Sequence, residues 1–209
     1  MKKIPTLFER VYEKHKIVDI LPNVMAGMEW VLEGEGNATI KYDGSCCAII
    51  NGELYKRYDA NAKKRRKVPE GAIPCCDPDP ITGHHPHWVK CNKDNPEDKW
   101  FFAAYNYEGR PMKIYSDGTY EAIGKHFNGN PYGFAKCDML IKHGQDIIPN
   151  SELERSFEGI KRYLNENYIE GIVFWKDGEP QCKIKRTDFG FDWGMGYMLK
   201  NSWKPESQK

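Results

Sequence analysis

Residues 38–50 read ATIKYDGSCCAII. An apolar, β-branched run is broken by Lys41, Asp43 and Gly44 and then resumes. Such a pattern predicts a strand on each side of a tight turn. A buried strand has no use for a lysine unless another group answers its charge. Working outward from this stretch therefore means asking which other residues are placed to use Lys41.

Strand signals continue on both sides. MEWVL (28–32), NATIKY (37–42), CCAIING (46–52) and ELYKRY (53–58) read as short strands. Asn51-Gly52 predicts a hairpin, because both residues accept the positive φ of a two-residue turn. WFFAAYNY (100–107), KIYS (113–116) and TYEAIG (119–124) read as further strands. IEGIVFW (169–175) and QCKIKR (181–186) add two more, joined by a Lys-Asp-Gly turn. FERVYEKHKIVDIL (8–21) has Phe8, Val11, Tyr12, His15 and Val18 near helical spacing. SELERSFEGIKRYLNEN (151–167) is the clearest helix, with Ser151 as its cap and Glu154 completing a capping box. Leu153, Phe157, Ile160 and Leu164 form its apolar stripe. Residues 59–98, rich in Pro, Asp, Asn, Lys and Gly, predict a long loop, and a loop of that length is more often functional than idle. The expected architecture is α+β with an antiparallel, strand-dominated core, in one domain spanning 1–209.

Composition narrows the function classes. The 209 residues are 40% hydrophobic, 13% aromatic and 29% charged, as in globular, soluble chains and unlike disordered ones. No apolar run approaches the roughly 18 residues of a membrane span, and MKKIPTLFERVYEKHK lacks the apolar segment of a secretory signal. Seven cysteines, with adjacent pairs at 46–47 and 75–76, suit reduced thiols in a cytoplasmic setting better than a disulfide framework. A net charge of +1 means that any nucleic-acid affinity must come from a local basic patch.

Charged residues recur inside the strand-like segments: Lys41 and Asp43 in KYDG, Glu170 before GIVFW, and Lys183 and Lys185 in KIK. Residues two apart on a strand share a face, so Lys183 pairs with Lys185 and Lys41 with Asp43. If those faces line one cleft, three lysines and two carboxylates meet there, which suits phosphate and metal rather than packing. The chemistry expected of such a cleft is attack on a nucleotide α-phosphorus. A lysine amine, with an ordinary pKa of about 10.4, needs neighbouring cations and desolvation to become a nucleophile. The same cations, with Mg²⁺, would neutralise charge developing on the phosphate. Each tetrapeptide alone is commonly a surface turn or a solvated strand face. Their order along the chain makes chance a poor explanation.

At these residues the chain resembles the covalent nucleotidyltransferase superfamily of DNA ligases, RNA ligases and capping guanylyltransferases. Lys41-Tyr42-Asp43-Gly44 matches its KxDG motif, Arg57 the basic residue one hairpin later, and Glu121 the carboxylate of the middle motif. Glu170-Gly171-Ile172-Val173 matches EGxV, and Lys183-Ile184-Lys185 matches KxK. YEAIGKHFNGNPYG and KIKRTDFGFDW look most like the small 5′-phosphate to 3′-hydroxyl RNA ligases of the human RNA ligase 1 type. The resemblance implies an antiparallel-sheet adenylyltransferase domain of the ATP-grasp-like ligase type. Few residues follow Lys185, so no C-terminal OB domain is expected. It also implies a monomer using ATP and Mg²⁺ (or Mn²⁺) on RNA with 5′-phosphate and 3′-hydroxyl ends, as in RNA repair, through a lysyl-adenylate on Lys41.

Under that resemblance Lys41, Glu170, Lys183 and Lys185 are the catalytic set. Asp43, Gly44, Arg57 and Glu121 join them in binding the nucleotide, and Asp43, Glu121 and Glu170 are the expected metal carboxylates. Tyr132 and Phe134 compete as the adenine-stacking ring. A nick-sealing DNA ligase and a non-catalytic RNA- or nucleotide-binding module are the competing readings.

Two further segments stand out. KRYDANAKKRRKV holds seven basic residues between Lys56 and Lys67, commonly a solvated loop but beside a ligase-like site a candidate phosphate contact. CCDPDPITGHHPHWVKC gathers Cys75, Cys76, His84, His85, His87 and Cys91, residue types that suit zinc, though at no regular zinc spacing. A Pro-rich, substrate-facing loop is the reading preferred there. Cys46 and Cys47 are expected to pack on alternate strand faces.

Overall fold

The computed structural model describes residues 3–14, 16–106 and 115–194. Its strands are β1 (Phe8–Glu13), β2 (Lys16–Val24), β3 (Asn37–Lys41), β4 (Ser45–Ile50), β5 (Glu53–Asn61) and β6 (Ile73–Pro74). Then come β7 (His84–Lys90), helix α1 (Lys99–Tyr105), β8 (Gly118–Gly124), β9 (Asp138–Lys142), β10 (Ile147–Ile148), helix α2 (Phe157–Glu166), β11 (Gly171–Lys176) and β12 (Glu179–Lys185). The fold is mostly antiparallel sheet with few helices, in keeping with α+β. No helix among the described residues is long and apolar enough to cross a membrane.

Packing divides the chain into two compact units, one built from Asp43–His143 and the other from Ile4–Tyr42 and the chain from Gly144 onward. The first unit holds a six-stranded sheet in the order β6-β7-β5-β4-β8-β9, every neighbouring pair antiparallel. Asn51 and Gly52, at φ 52° and 74°, make the β4–β5 hairpin turn that Asn-Gly predicts. Cys47, Ile49, Leu54, Tyr120, Ala122 and Leu140 form its core. Trp100, Phe101 and Phe102 of α1 pack against them.

The second unit holds a four-stranded sheet in the order β10-β3-β11-β12 and a β1–β2 ribbon. Asp177 and Gly178, at φ 55° and 77°, close the β11–β12 hairpin. Three strands alternate in step: Ile40, Ile172 and Ile184 face each other across β3, β11 and β12, and the latter two are fully buried. With Leu7, Phe8, Ile160, Leu164 and Phe174 they make the core.

Five expectations need correction. Residues 8–21 form the β1–β2 ribbon, not a helix; the register of β1 on β2 slips twice, and such irregularity hides a two-residue period. His15 and residues 113–114 of KIYS lie outside the described residues. WFFAAYNY gives α1, because Asn95 accepts the N–H of Glu97 and Pro96 opens a 3₁₀ turn that leads into the helix. MEWVL yields a 3₁₀ turn, Glu29–Val31. Residues 59–98 are not one loop, since they include the end of β5, β6 and β7. Helix α2 begins late: Ser156, not Ser151, caps it by accepting the N–H of Gly159 at 3.0 Å. Leu153, Ile160 and Leu164 of the expected stripe are buried as predicted.

Candidate active site

In the second unit, register decides which charges meet. Gly171 on the central strand β11 lies opposite Lys41 of β3 on one side and Lys185 of β12 on the other. Two residues along, Val173 lies between Thr39 and Lys183. These residues share the face opposite the isoleucine row, so the chain's alternation sends three lysines to one side of the sheet and the core to the other. Gly171 has no positive φ. Its glycine is required because a Cβ would meet the Ile184 carbonyl oxygen at 2.2 Å.

Glu170 precedes this row and answers it. Its buried carboxylate accepts Lys41 Nζ on Oε2 and Lys185 Nζ on Oε1, each at 2.5 Å. Taking a carboxylate out of water is costly unless its oxygens are satisfied, and two charge-assisted bonds satisfy both. Lys41 retains 21% and Lys185 34% of its side-chain exposure, so neither side chain is closed off from solvent. Lys183 is pulled down to about 8, by burial first, then by Lys41 and Lys185 and more weakly by Arg10, against the opposing pull of Glu170. Arg10 itself pairs with buried Asp188 at 2.7 Å, and Asp188 accepts the backbone N–H of Lys185, which anchors the end of β12. Tyr42 donates its hydroxyl to Asp146 at 2.8 Å, and burial followed by that carboxylate raises the phenol's pKa.

The first unit holds the remaining residues of the expected site. β3 ends at Lys41, so Lys41 and Asp43 do not share a strand face as expected. The Asp43 N–H donates to the Tyr132 hydroxyl at 2.6 Å, and Asn128 donates to Asp43 Oδ1 at 2.5 Å. Glu121, on β8, accepts the Gly44 N–H at 3.1 Å and lies 3.0 Å from His143 Nε2; the other imidazole nitrogen is 3.0 Å from Thr119 Oγ1. Gly44, like Gly171, has no room for a side chain, since a Cβ would meet the Ala122 carbonyl oxygen at 2.1 Å. Arg57 pairs with Asp59 through Nε at 2.9 Å; burial draws its pKa down, but Asp59 outweighs that and leaves it raised.

The first unit also gathers metal-type side chains around the expected Glu121. Among the described residues, the ligand atoms of Cys46, Glu121 and His143 lie within 4.8 Å of one another. Burial, then Glu121, pushes the Cys46 thiol up to about 12. A thiol and an imidazole suit zinc-like ions, whereas Mg²⁺ takes oxygen ligands. Of the expected metal carboxylates, Glu170 holds Lys41 and Lys185 on its two oxygens, and Glu121 accepts the Gly44 N–H and lies against His143 Nε2. Among the described residues, the Cys/His segment supplies no group of three ligand atoms within 4.8 Å: His84 pairs with Asp59 at 3.1 Å, and His87 Nδ1 lies 2.8 Å from the His85 carbonyl. All seven cysteines are free thiols; Cys47 packs in the core as expected, whereas Cys46 lies beside Glu121 and His143.

His143, Asn128, Tyr132 and Arg10 acquire their places only in the fold. His143 is 22 residues from Glu121, and Arg10 is 178 residues from Asp188. No local motif connects either pair.

No family model matches the chain. It is similar to curated proteins named RNA ligase 1. The Pongo abelii protein is 26% identical over an alignment covering 78% of this chain and 70% of its own. The Danio rerio protein is 27% identical and the Rattus norvegicus protein 26%, each covering 79% of this chain and 70% of its own. These likenesses support a relationship to RNA ligases.

Proposed function

We propose that this protein is an ATP-dependent RNA ligase that joins 5′-phosphate to 3′-hydroxyl ends through a lysyl-AMP on Lys41. The observation that carries the reading is the placement of Lys41 Nζ on a buried carboxylate shared with Lys185, with Lys183 two residues along the same strand face. The similarity to proteins named RNA ligase 1 supports it.

The substrate is ATP, brought as its Mg²⁺ complex. Lys41 Nζ attacks the α-phosphorus as the neutral amine, and as the P–N bond forms its proton passes to Glu170, which is within hydrogen-bond reach. The bond to the bridging oxygen breaks and pyrophosphate leaves with the electron pair. Lys185 and Lys183 stabilise the charge that gathers on the phosphoryl oxygens. An RNA 5′-phosphate oxygen then attacks the adenylate phosphorus, the P–N bond breaks, and the departing Lys41 amine takes its proton back from Glu170. Finally an RNA 3′-hydroxyl attacks the activated 5′-phosphorus, the anhydride bond to AMP breaks with its electron pair on AMP, and the hydroxyl proton leaves to solvent, giving the phosphodiester. Asp43, Gly44, Arg57 and Glu121 are assigned to the nucleotide, with Arg57 on a phosphate and the carboxylates on the ribose hydroxyls or water carried by the metal.

Side-by-side incubation with 5′-phosphorylated single-stranded RNA and with nicked duplex DNA, each with ATP and Mg²⁺, tests the assignment. RNA is expected to be joined at least tenfold faster (about 1.4 kcal/mol in barrier). Faster sealing of the DNA nick would replace this reading with a DNA ligase.

A further inference from the structure

Five consecutive cations, Lys63, Lys64, Arg65, Arg66 and Lys67, are all exposed where β5 ends, in a chain whose net charge is only +1. They are not a loose tail. Asn61, nearly buried, exchanges two backbone hydrogen bonds of 3.0 Å with Arg66. Its side chain accepts the N–H of Lys64 and donates to the Thr82 carbonyl, each at 3.1 Å. The result is a closed knuckle around the 3₁₀ turn Ala62–Lys64. Lys63 bonds the Ile81 carbonyl, and the Arg66 guanidinium lies 5.3 Å from the centre of the Tyr58 ring. Among the described residues, Lys64, Arg65, Arg66 and Lys67 have no carboxylate partner.

Arg65 is the decisive residue. It closes the turn in the left-handed region, at φ 55°, ψ 24°. That conformation strains most side chains and favours glycine or asparagine. An arginine at a position where glycine would be easier suggests that its side chain serves something outside the fold.

We infer that this knuckle is a binding surface for the phosphate backbone of single-stranded RNA. The inference rests on the RNA ligase reading for its choice of polyanion. The knuckle lies four to ten residues beyond Arg57 on and after the same strand, which at about 3.3 Å per strand residue allows contacts several phosphates away from the one Arg57 would hold. A rigid cluster of unpaired cations loses little conformational freedom on binding and releases the counterions of the phosphates it contacts.

The test uses the full chain and a fluorescently labelled, 5′-phosphorylated single-stranded RNA, titrated over a range of salt. Replacing Lys64→Gln, Arg65→Gly and Arg66→Gln together is expected to make the slope of log K against log salt shallower by about 2, at roughly 0.7 per phosphate contact. Affinity near 0.1 M salt is expected to fall about tenfold or more. Arg65→Gly alone relieves the backbone, so it is expected to weaken RNA binding while leaving the thermal midpoint unchanged or higher. Unchanged affinity and slope in the triple variant would overturn the inference, as would equal binding of polyglutamate lost in the same variant. Labelling of wild-type Lys41 by ATP without RNA reports on the ligase reading separately, because it needs no RNA surface.

Discussion

Asp43-Gly44 in one unit and Glu170-Gly171 in the other share a steric origin. At each glycine a Cβ would run into the carbonyl oxygen of an adjacent strand, Ala122 in one case and Ile184 in the other. Beyond that they differ. Glu170 is buried, stands at the head of a central strand and holds an ammonium group on each oxygen. Asp43 is partly exposed, follows the end of β3 and takes a bond from exposed Asn128. The ladder of β3, β11 and β12 therefore fixes one carboxylate, while loop residues position the other. A carboxylate caught between strands is committed to the ladder it joins, whereas one held at a loop answers to loop residues.

The largest expected effect is steric and common to both sites. Gly171→Ala and Gly44→Ala are each expected to lower unfolding free energy by about 3 kcal/mol, measured by urea denaturation, because backbone carbonyls cannot yield as side chains do. Charge should separate the two motifs. Glu170→Gln is expected to cost about 2 kcal/mol, less than for a fully buried pair because both lysines still touch solvent. Asp43→Asn is expected to cost less than Glu170→Gln, because Asp43 is partly exposed and Glu170 is buried. Equal costs would mean that Asp43 is as deeply committed to the fold as Glu170.

Lys183 sharpens the comparison through pH. Its folded amine sits near 8, below the ordinary lysine value of 10.5, so between those values the unfolded chain binds the extra proton. Folding stability should therefore rise as pH climbs from about 8 to 10.5. Lys183→Met should remove that rise, which paired denaturation curves of the two proteins would isolate from other titrating groups.

Much of this was legible locally. Asn51-Gly52 and Lys176-Asp177-Gly178 mark their hairpins because few residues tolerate the left-handed backbone those turns need. Lys41, Glu170, Lys183 and Lys185 stood out as charges within apolar strands, and strand register does bring them together. The β1–β2 ribbon was not legible, since its slipped register and exposed β2 blur the alternation that marks a strand. The aromatic run of α1 has strand-like composition, and the Asn95-Pro96 start that makes it helical lies before the run. His143 beside Glu121 depends on the β8–β9 pairing rather than on any spacing a motif records.

A last contrast, away from both motifs, concerns α2. Ser156→Ala is expected to cost about 1 kcal/mol through loss of the cap, and Ser151→Ala next to nothing, a contrast that thermal unfolding of the two variants resolves.

One measurement bears most directly on Lys41. The protein is incubated with α-labelled ATP and Mg²⁺, denatured, and examined for label that stays with the chain, alongside Lys41→Ala. Covalent AMP on the wild type, absent from the variant and discharged by 5′-phosphorylated RNA, is the predicted result. Label that persists in Lys41→Ala, or a wild type that never takes it up, would contradict the assignment of this amine as the nucleophile.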